Sequence, residues 1–274
     1  MPTIQHDYAN VNGVRLHYAH AGRGPLILFL HGFPEFWFCW TKQLEEFGRD
    51  HHAVAPDLRG YNLSDRPAEV RQYKARVLVE DIRQLAARFE SKKFVLVGHD
   101  WGGAVAWGLA IAHPELLAKL VIINSPHPVP FARELAHSTA QQDASQYMNL
   151  LRSAKAERVL SEDNYARLQK MTLDGWGDAA SGSADRAAYI GAWSQPGALT
   201  GGLNYYRASP LYHPWATIRG RAHSTSIPPT SWCACPRWWC GGCATRRCCQ
   251  PIWMGWRSVC PICASSACPK PRTG

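Results

Sequence analysis

The sequence predicts an α/β protein: a mostly parallel sheet with helices on both faces and an inserted helical lid. Three observations predict it. The strand signals are continuous apolar runs rather than alternating ones, as a parallel sheet covered on both faces requires. Up to position 126 these runs take turns with segments of helical apolar spacing. Beyond 126 the buried-strand pattern stops, and aromatic-rich helical segments follow.

Each element has its own signal. VNGVRLHYAHAG (11–22) reads as a hairpin region. PLILFLHG (25–32) is a short apolar run ending in a glycine turn, and HHAVAPDLRG (51–60) is a second strand. VLVEDIRQLAARFE (77–90) repeats apolar residues at helical spacing. FVLVGHD (94–100) is a buried strand, AVAWGLAIAHP (104–114) a helix, and LVIINSP (120–126) a further strand. Residues 1–126 are expected to form the first part of the core, with the lid, over 127–212, inserted after the sixth strand. Residues 213–274 form a Cys- and Trp-rich tail of different composition. A chain of 274 residues suits one large domain of this kind.

The net charge of +9 would ordinarily suggest nucleic acid or an acidic membrane surface as partner. Its distribution places that excess in the tail, so it says nothing about the main domain's partners. All 21 acidic side chains lie before position 215, against 22 Lys and Arg, so this part is close to neutral. The remaining residues hold 8 Lys and Arg and nine of the ten cysteines. Cys39 is the one cysteine outside the tail, which implies no disulfide framework and suits a reducing compartment. The N-terminus reads neither as a signal peptide nor as a membrane anchor. The expectation is a cytoplasmic protein with no cofactor and no nucleic-acid or membrane partner.

The chemistry centres on GHDWGG (98–103), between a buried strand and a helix. Small residues at Gly98 and Gly102 flank Asp100 by two on each side. That is the geometry of a strained strand-to-helix turn that lifts one side chain above a sheet. The plainer reading is that Asp100 only caps the next helix. His31-Gly32-Phe33-Pro34, at the end of another strand, supplies a matching partner loop.

Three motifs in order, HGFPEFW (31–37), PDLRGYNLSDRP (56–67) and GHDWGG (98–103), resemble the α/β-hydrolase family in its epoxide hydrolase and haloalkane dehalogenase branch. The resemblance covers residues 1 to about 214 and implies the α/β-hydrolase fold. It implies Asp100 as a nucleophile that attacks saturated carbon and forms an alkyl ester, which water then cleaves. Backbone N–H groups of Phe33 and Trp101 would form the oxyanion hole. Two lid tyrosines, matched here by Tyr206 in GLNYYRAS (202–209) and Tyr147 in SQYMNL (145–150), would protonate an epoxide oxygen. His31, Gly32, Pro34, His99 and Asp57 read as structural supports. Asn62 stands where the family often has glycine, a change that left-handed backbone would tolerate. The substrate would be a small hydrophobic epoxide. A halogenated substrate is the alternative, although Phe33 occupies the place of a common halide donor. A non-catalytic, zinc-stabilised binding protein is the reading from another class.

The tail bears on that last reading. Cys240/Cys243 and Cys260/Cys263 have the spacing of a structural zinc ribbon. Zinc would leave five further cysteines unexplained, and also the absence of the family's catalytic acid and C-terminal histidine. Loss of one base just after Tyr212 accounts for all three. In the restored frame residues 230–253 permit a strand followed by Trp-Gly-x-x-Asp, where the family carries its acid, and residues 256–274 permit a His-Trp. The sequence therefore predicts a frameshifted C-terminus and no metal.

Overall fold

A computed structural model describes residues 2–173 and 182–213 of the chain. The expected frameshifted tail, its cysteines included, lies outside the described residues. β1 (Gln5–Val11) and β2 (Val14–Ala21) form an antiparallel hairpin across Asn12-Gly13, both at positive φ, the backbone a tight two-residue hairpin turn requires. β3 (Leu26–Leu30), β4 (His52–Pro56), β5 (Phe94–His99) and β6 (Leu117–Ile123) complete a six-stranded sheet. Its order is β1-β2-β4-β3-β5-β6, with β4, β3, β5 and β6 mutually parallel.

β3 shows why a parallel strand reads as a continuous apolar run. Leu26, Leu28 and Leu30 enter one core cluster, while Ile27 and Phe29 enter the other, across the sheet. The first face is covered by α2 (Ala75–Ala87) and α3 (Trp101–Ala112), the second by α1 (Thr41–Phe47) with Trp40 and Leu44. All five β3 residues are buried, so neither face offers a polar position. Burying one leucine side chain stabilises the fold by roughly 2 kcal/mol, which makes this strand a main anchor of the sheet.

After β6 come α4 (Pro128–His137), α5 (Thr139–Ala144), α6 (Tyr147–Arg152), α7 (Ala156–Thr172), α8 (Ser183–Trp193) and α9 (Ala198–Ala208). α7 is broken at Glu162–Tyr165 by non-helical backbone. Trp193 donates its indole N–H to the Pro34 carbonyl at 2.6 Å, and Tyr205 its hydroxyl to the Arg59 carbonyl at 2.9 Å. These two bonds fasten the helical segment to loops at the C-terminal ends of β3 and β4.

Three expectations shift. α1 was not singled out, because TKQLEEF buries only Leu44 and has no repeating apolar face. α3 begins at Trp101 rather than 104, since Gly102 and Gly103 are helical here despite their poor propensity. β6 runs over 117–123 rather than 120–126, and it is not covered on both faces: Val121 and Ile123 are 39% and 36% exposed. Among the described residues β6 is an edge strand, which leaves its apolar side chains partly in solvent.

Candidate active site

The β5–α3 turn is built by close approach. A Cβ on Gly98 would lie 2.5 Å from the Gly102 carbonyl oxygen, and one on Gly102 would lie 2.3 Å from that of Leu30. Only glycine lets strand and helix meet there. The turn carries Asp100 at φ +48°, ψ −118°, backbone that a non-glycine residue adopts only at a cost of about 1–3 kcal/mol. The Asp100 N–H is held by the Ile123 carbonyl at 3.2 Å, across to the end of β6. Its carboxylate makes no helix-capping bond. Instead Oδ1 accepts the Phe33 N–H at 2.8 Å, and the Trp101 N–H adds a second backbone donor. The helix-cap reading of Asp100 is therefore replaced: the side chain faces the partner loop.

That loop is fixed by His31, which is fully buried. Its Nδ1–H donates to the Gly32 carbonyl at 2.9 Å, and its Nε2 accepts the Leu58 N–H at 3.0 Å. Burial holds the imidazole below its ordinary value, so it stays neutral and keeps this tautomer. Gly32 is tight against Asp100: a Cβ there would lie 2.4 Å from the Asp100 Cβ. Pro34 follows a cis peptide bond after Phe33. Asp57 lies one residue before the Leu58 amide that His31 accepts. It takes bonds from Trp37 N at 3.0 Å, Asn62 Nδ2 at 2.8 Å and His17 Nδ1 at 2.7 Å. It is wholly buried in that network, and Asn62 is left-handed at φ +40° as the glycine-like position requires.

Asp100 opens on a small cavity of about 40 Å³ that is open in part to solvent. Its walls include Phe33, Glu35, His99, Asn124 and Thr172. His99 and Glu35 form an ion pair, Nδ1 to Oε2 at 3.0 Å, with side chains 14% and 11% exposed. Burial alone would raise the Glu35 carboxyl, but the His99 charge and hydrogen bond hold it below the usual range. Burial would likewise lower His99, and Glu35 with Asp100 raises it instead. Burial pushes the Asp100 carboxyl up, against the His99 charge and the two backbone donors.

The two tyrosines come together near Trp101 and Phe33. Tyr206 is 1% exposed and stands edge-on to Trp101 at 5.1 Å and to Phe33 at 5.4 Å. Tyr147 packs against it at 6.4 Å. Both phenols are pushed well up, first by burial and then by the Asp100 charge, so both keep their protons at neutral pH. The Tyr206 hydroxyl lies beside the Trp101 indole without a hydrogen bond of regular geometry. Tyr205, its chain neighbour, is already committed to the Arg59 carbonyl.

Sequence reasoning missed Glu35, Asn124 and Thr172. Glu35 was legible only as the residue after HGFP, and the other two lie just after β6 and at the end of α7, where no motif marks them. Tyr61 was missed as well: its ring stands edge-on to His31 at 4.7 Å and its buried hydroxyl has no partner. Among the described residues no group of three or more His, Cys, Asp or Glu could hold a metal ion, and no helix is long and apolar enough to cross a membrane.

A sequence model described as the alpha/beta hydrolase fold matches residues 25–198. The AB hydrolase superfamily protein YfhM of Bacillus subtilis is 42% identical over 212 residues, covering 76% of this chain and 74% of that one. Epoxide hydrolase 4 of Mus musculus is 40% identical over 226 residues, covering 77% of this chain and 63% of its own. The chain thus spans about three-fifths of the length of that relative. An epoxide hydrolase from Bacillus megaterium, in a variant complexed with its naphthyloxy-propanediol product, superposes with a TM-score of 0.71 at 41% identity, over 75% of this chain and 72% of that one.

Proposed function

The chain belongs to the alpha/beta hydrolase fold family, and we propose that it is an epoxide hydrolase acting through a covalent ester on Asp100. The observation that carries this reading is one arrangement. A carboxylate on strained backbone accepts two backbone N–H groups, and two buried phenols that keep their protons pack beside the residues that supply those groups. The Bacillus megaterium neighbour, bound to a diol product, supports the substrate class.

Attack by Asp100 on a ring carbon of a small hydrophobic epoxide opens the ring, and Tyr206 and Tyr147 donate to the departing oxygen. A neutral phenol suits that role because it donates a hydrogen bond and carries no charge at neutral pH. Aspartate rather than serine fits saturated carbon, since a carboxylate there gives an alkyl ester instead of a reactive anhydride. Water then attacks the ester carbon. The developing oxyanion stays against the Phe33 and Trp101 N–H groups, each worth roughly 3 kcal/mol in a transition state.

The second step is where the sequence falls short. Residues 213–274 contain no Asp or Glu, and the family's acid and C-terminal histidine are read only in the restored frame. We therefore also propose that one base was lost just after codon 212, and that the chain opens epoxides but turns the ester over poorly. Resequencing the gene around codon 213 tests this; an intact reading frame there would sink it. For the activity, incubation with styrene oxide should add the mass of the epoxide to a peptide containing Asp100. Asp100→Asn should remove the adduct. Halide release from chlorinated alkanes with no adduct or diol from styrene oxide would overturn the epoxide reading.

A further inference from the structure

We propose that His6, an exposed residue of β1, is a positioning residue for ring opening: through His17 and Asp57 it holds the loop that presents the Phe33 N–H to Asp100, and acid releases it. Its effect on rate rests on the epoxide-opening reading, while the link between the two rings stands apart from that reading.

Asp57 ties the Phe33 loop down twice. Its Oδ1 accepts the Trp37 N–H at 3.0 Å, four residues beyond Phe33. The next residue, Leu58, donates its N–H to His31, which in turn bonds the Gly32 carbonyl just before Phe33. Asp57 is wholly buried, so its carboxylate sits where its donors put it. Of those donors only His17 is titratable: its Nδ1 meets Asp57 Oδ2 at 2.7 Å, and its side chain is 2% exposed. Every polar group of His17 is committed. Its N–H donates to Ser64 Oγ at 2.9 Å, and its carbonyl accepts the Asp57 N–H at 2.9 Å. Its Nε2 lies 3.0 Å from Nδ1 of His6, whose ring reaches solvent. Both imidazoles also stand edge-on to the Trp37 indole, at 4.8 and 6.5 Å. His6 therefore packs on the residue whose N–H Asp57 holds.

Two imidazoles keep a bond between Nδ1 and Nε2 only while one nitrogen donates and the other accepts. His17 gives its Nδ1 proton to Asp57, so its Nε2 and the His6 Nδ1 hold one proton between them. A second proton sets N–H against N–H and two cations side by side, and the exposed ring is the one that turns away. Partial burial is the largest influence on His6 and lowers its value. The His17 and His20 charges on β2 lower it further, and Asp57 after β4 opposes them. Of the other charged groups on these strands, Arg15 lies over the Tyr8 ring at 3.7 Å, and Asp7 takes the Tyr8 N–H and the Tyr18 hydroxyl. A lowered value means that the folded chain prefers the neutral His6 ring. The link thus contributes fully above about pH 6.5 and is lost as pH falls from there through the lowered value.

The test compares the full chain as parent, His6→Ala and His6→Asn between about pH 5 and 8. Asparagine places a neutral amide where His6 has Nδ1, so it keeps a partner for His17 that does not titrate. Thermal unfolding reads the link, and the rate of adduct formation with styrene oxide reads the positioning. At about pH 7.5, His6→Ala should unfold at a lower temperature than the parent and form adduct roughly fivefold more slowly, and His6→Asn should restore both. At roughly pH 5 the parent and His6→Ala should converge in both measurements, because acid has already removed the link in the parent. The titration of Asp100 is common to all three forms, so the ratio of their rates isolates His6. A merely structural histidine would shift unfolding and leave the adduct rate of the folded chain unchanged, which would overturn the positioning role. An unfolding offset between parent and His6→Ala that is the same at every pH would overturn the acid-released link. Absence of any adduct on Asp100 in the parent would overturn the epoxide reading and the effect on rate with it, and the unfolding comparison would still decide the link.

Discussion

Asp100 faces the cavity because its own backbone is held at a conformation that a side chain ordinarily avoids. The neighbours that enforce it are the Ile123 carbonyl and the close-packed glycines. Gly32 matters for the same reason: Gly32→Ala should displace the carboxylate and cut adduct formation by two orders of magnitude or more, on the order of the cost of a misplaced reacting group. Loss of the Tyr206 hydroxyl should slow ring opening about 100-fold. Tyr205→Phe should spare the chemistry and cost instead about 1 kcal/mol of stability, the worth of its bond to the Arg59 carbonyl. Comparing the two variants by adduct kinetics and thermal unfolding separates a reacting phenol from a structural one. Acid dependence follows from the raised Asp100 carboxyl. In the proposed mechanism the carboxylate is the nucleophile, so ring opening should fall as pH drops through a value above the ordinary carboxylate range. An adduct rate that held constant down to pH 4 would contradict that.

At the scale of elements, the site stands on a buried cross-link. Arg59 donates from Nε and Nη2 to both oxygens of Asp81 on α2, at 2.7 and 2.6 Å, and Asn12 of the hairpin turn donates to the same carboxylate at 2.8 Å. The Arg59 carbonyl then receives Tyr205 of α9. One ion pair thus ties the hairpin, α2, the loop after β4 and the last described helix. Both side chains are 2% exposed, so removing one partner leaves a buried charge uncompensated. Asp81→Ala should lose about 3–5 kcal/mol and lower the midpoint of thermal unfolding clearly, with denaturant curves as the check. Much at this scale was legible. The strand runs and the glycine-flanked turn follow from packing needs that show in a few consecutive residues. α1 was not legible, since its seven residues bury a single side chain. The Arg59–Asp81 pair was not either, because no spacing rule links a loop residue to a helix residue twenty-two positions on.

For the whole molecule, the described sheet ends at β6 with Val121 and Ile123 partly exposed, and Ile111 on the neighbouring α3 is 58% exposed. Apolar surface of this kind on a parallel sheet ordinarily meets further strands and helices. Restoring one base after codon 212 should therefore act on stability and turnover together. The expected result is more recoverable folded protein and rapid release of diol, where the parent accumulates ester. If the restored gene matched the parent in both yield and ester lifetime, the lost-base proposal would fail.

By itself the sequence determined the sheet class, the order of elements, the elbow at Asp100, its partner loop and the alien composition of the last sixty residues. These are local or compositional properties, written in neighbouring residues. Tertiary structure alone decided that Tyr205 bonds the Arg59 carbonyl while Tyr206 packs edge-on to Trp101 and Phe33, and that Glu35, Asn124 and Thr172 share one cavity with His99 and Asp100. The physical reason is that hydrogen-bond satisfaction and burial are settled between segments far apart in the chain. Tyr205 finds a carbonyl, Tyr206 finds none, and that difference appears only once the loop after β4 and the last described helix have packed together.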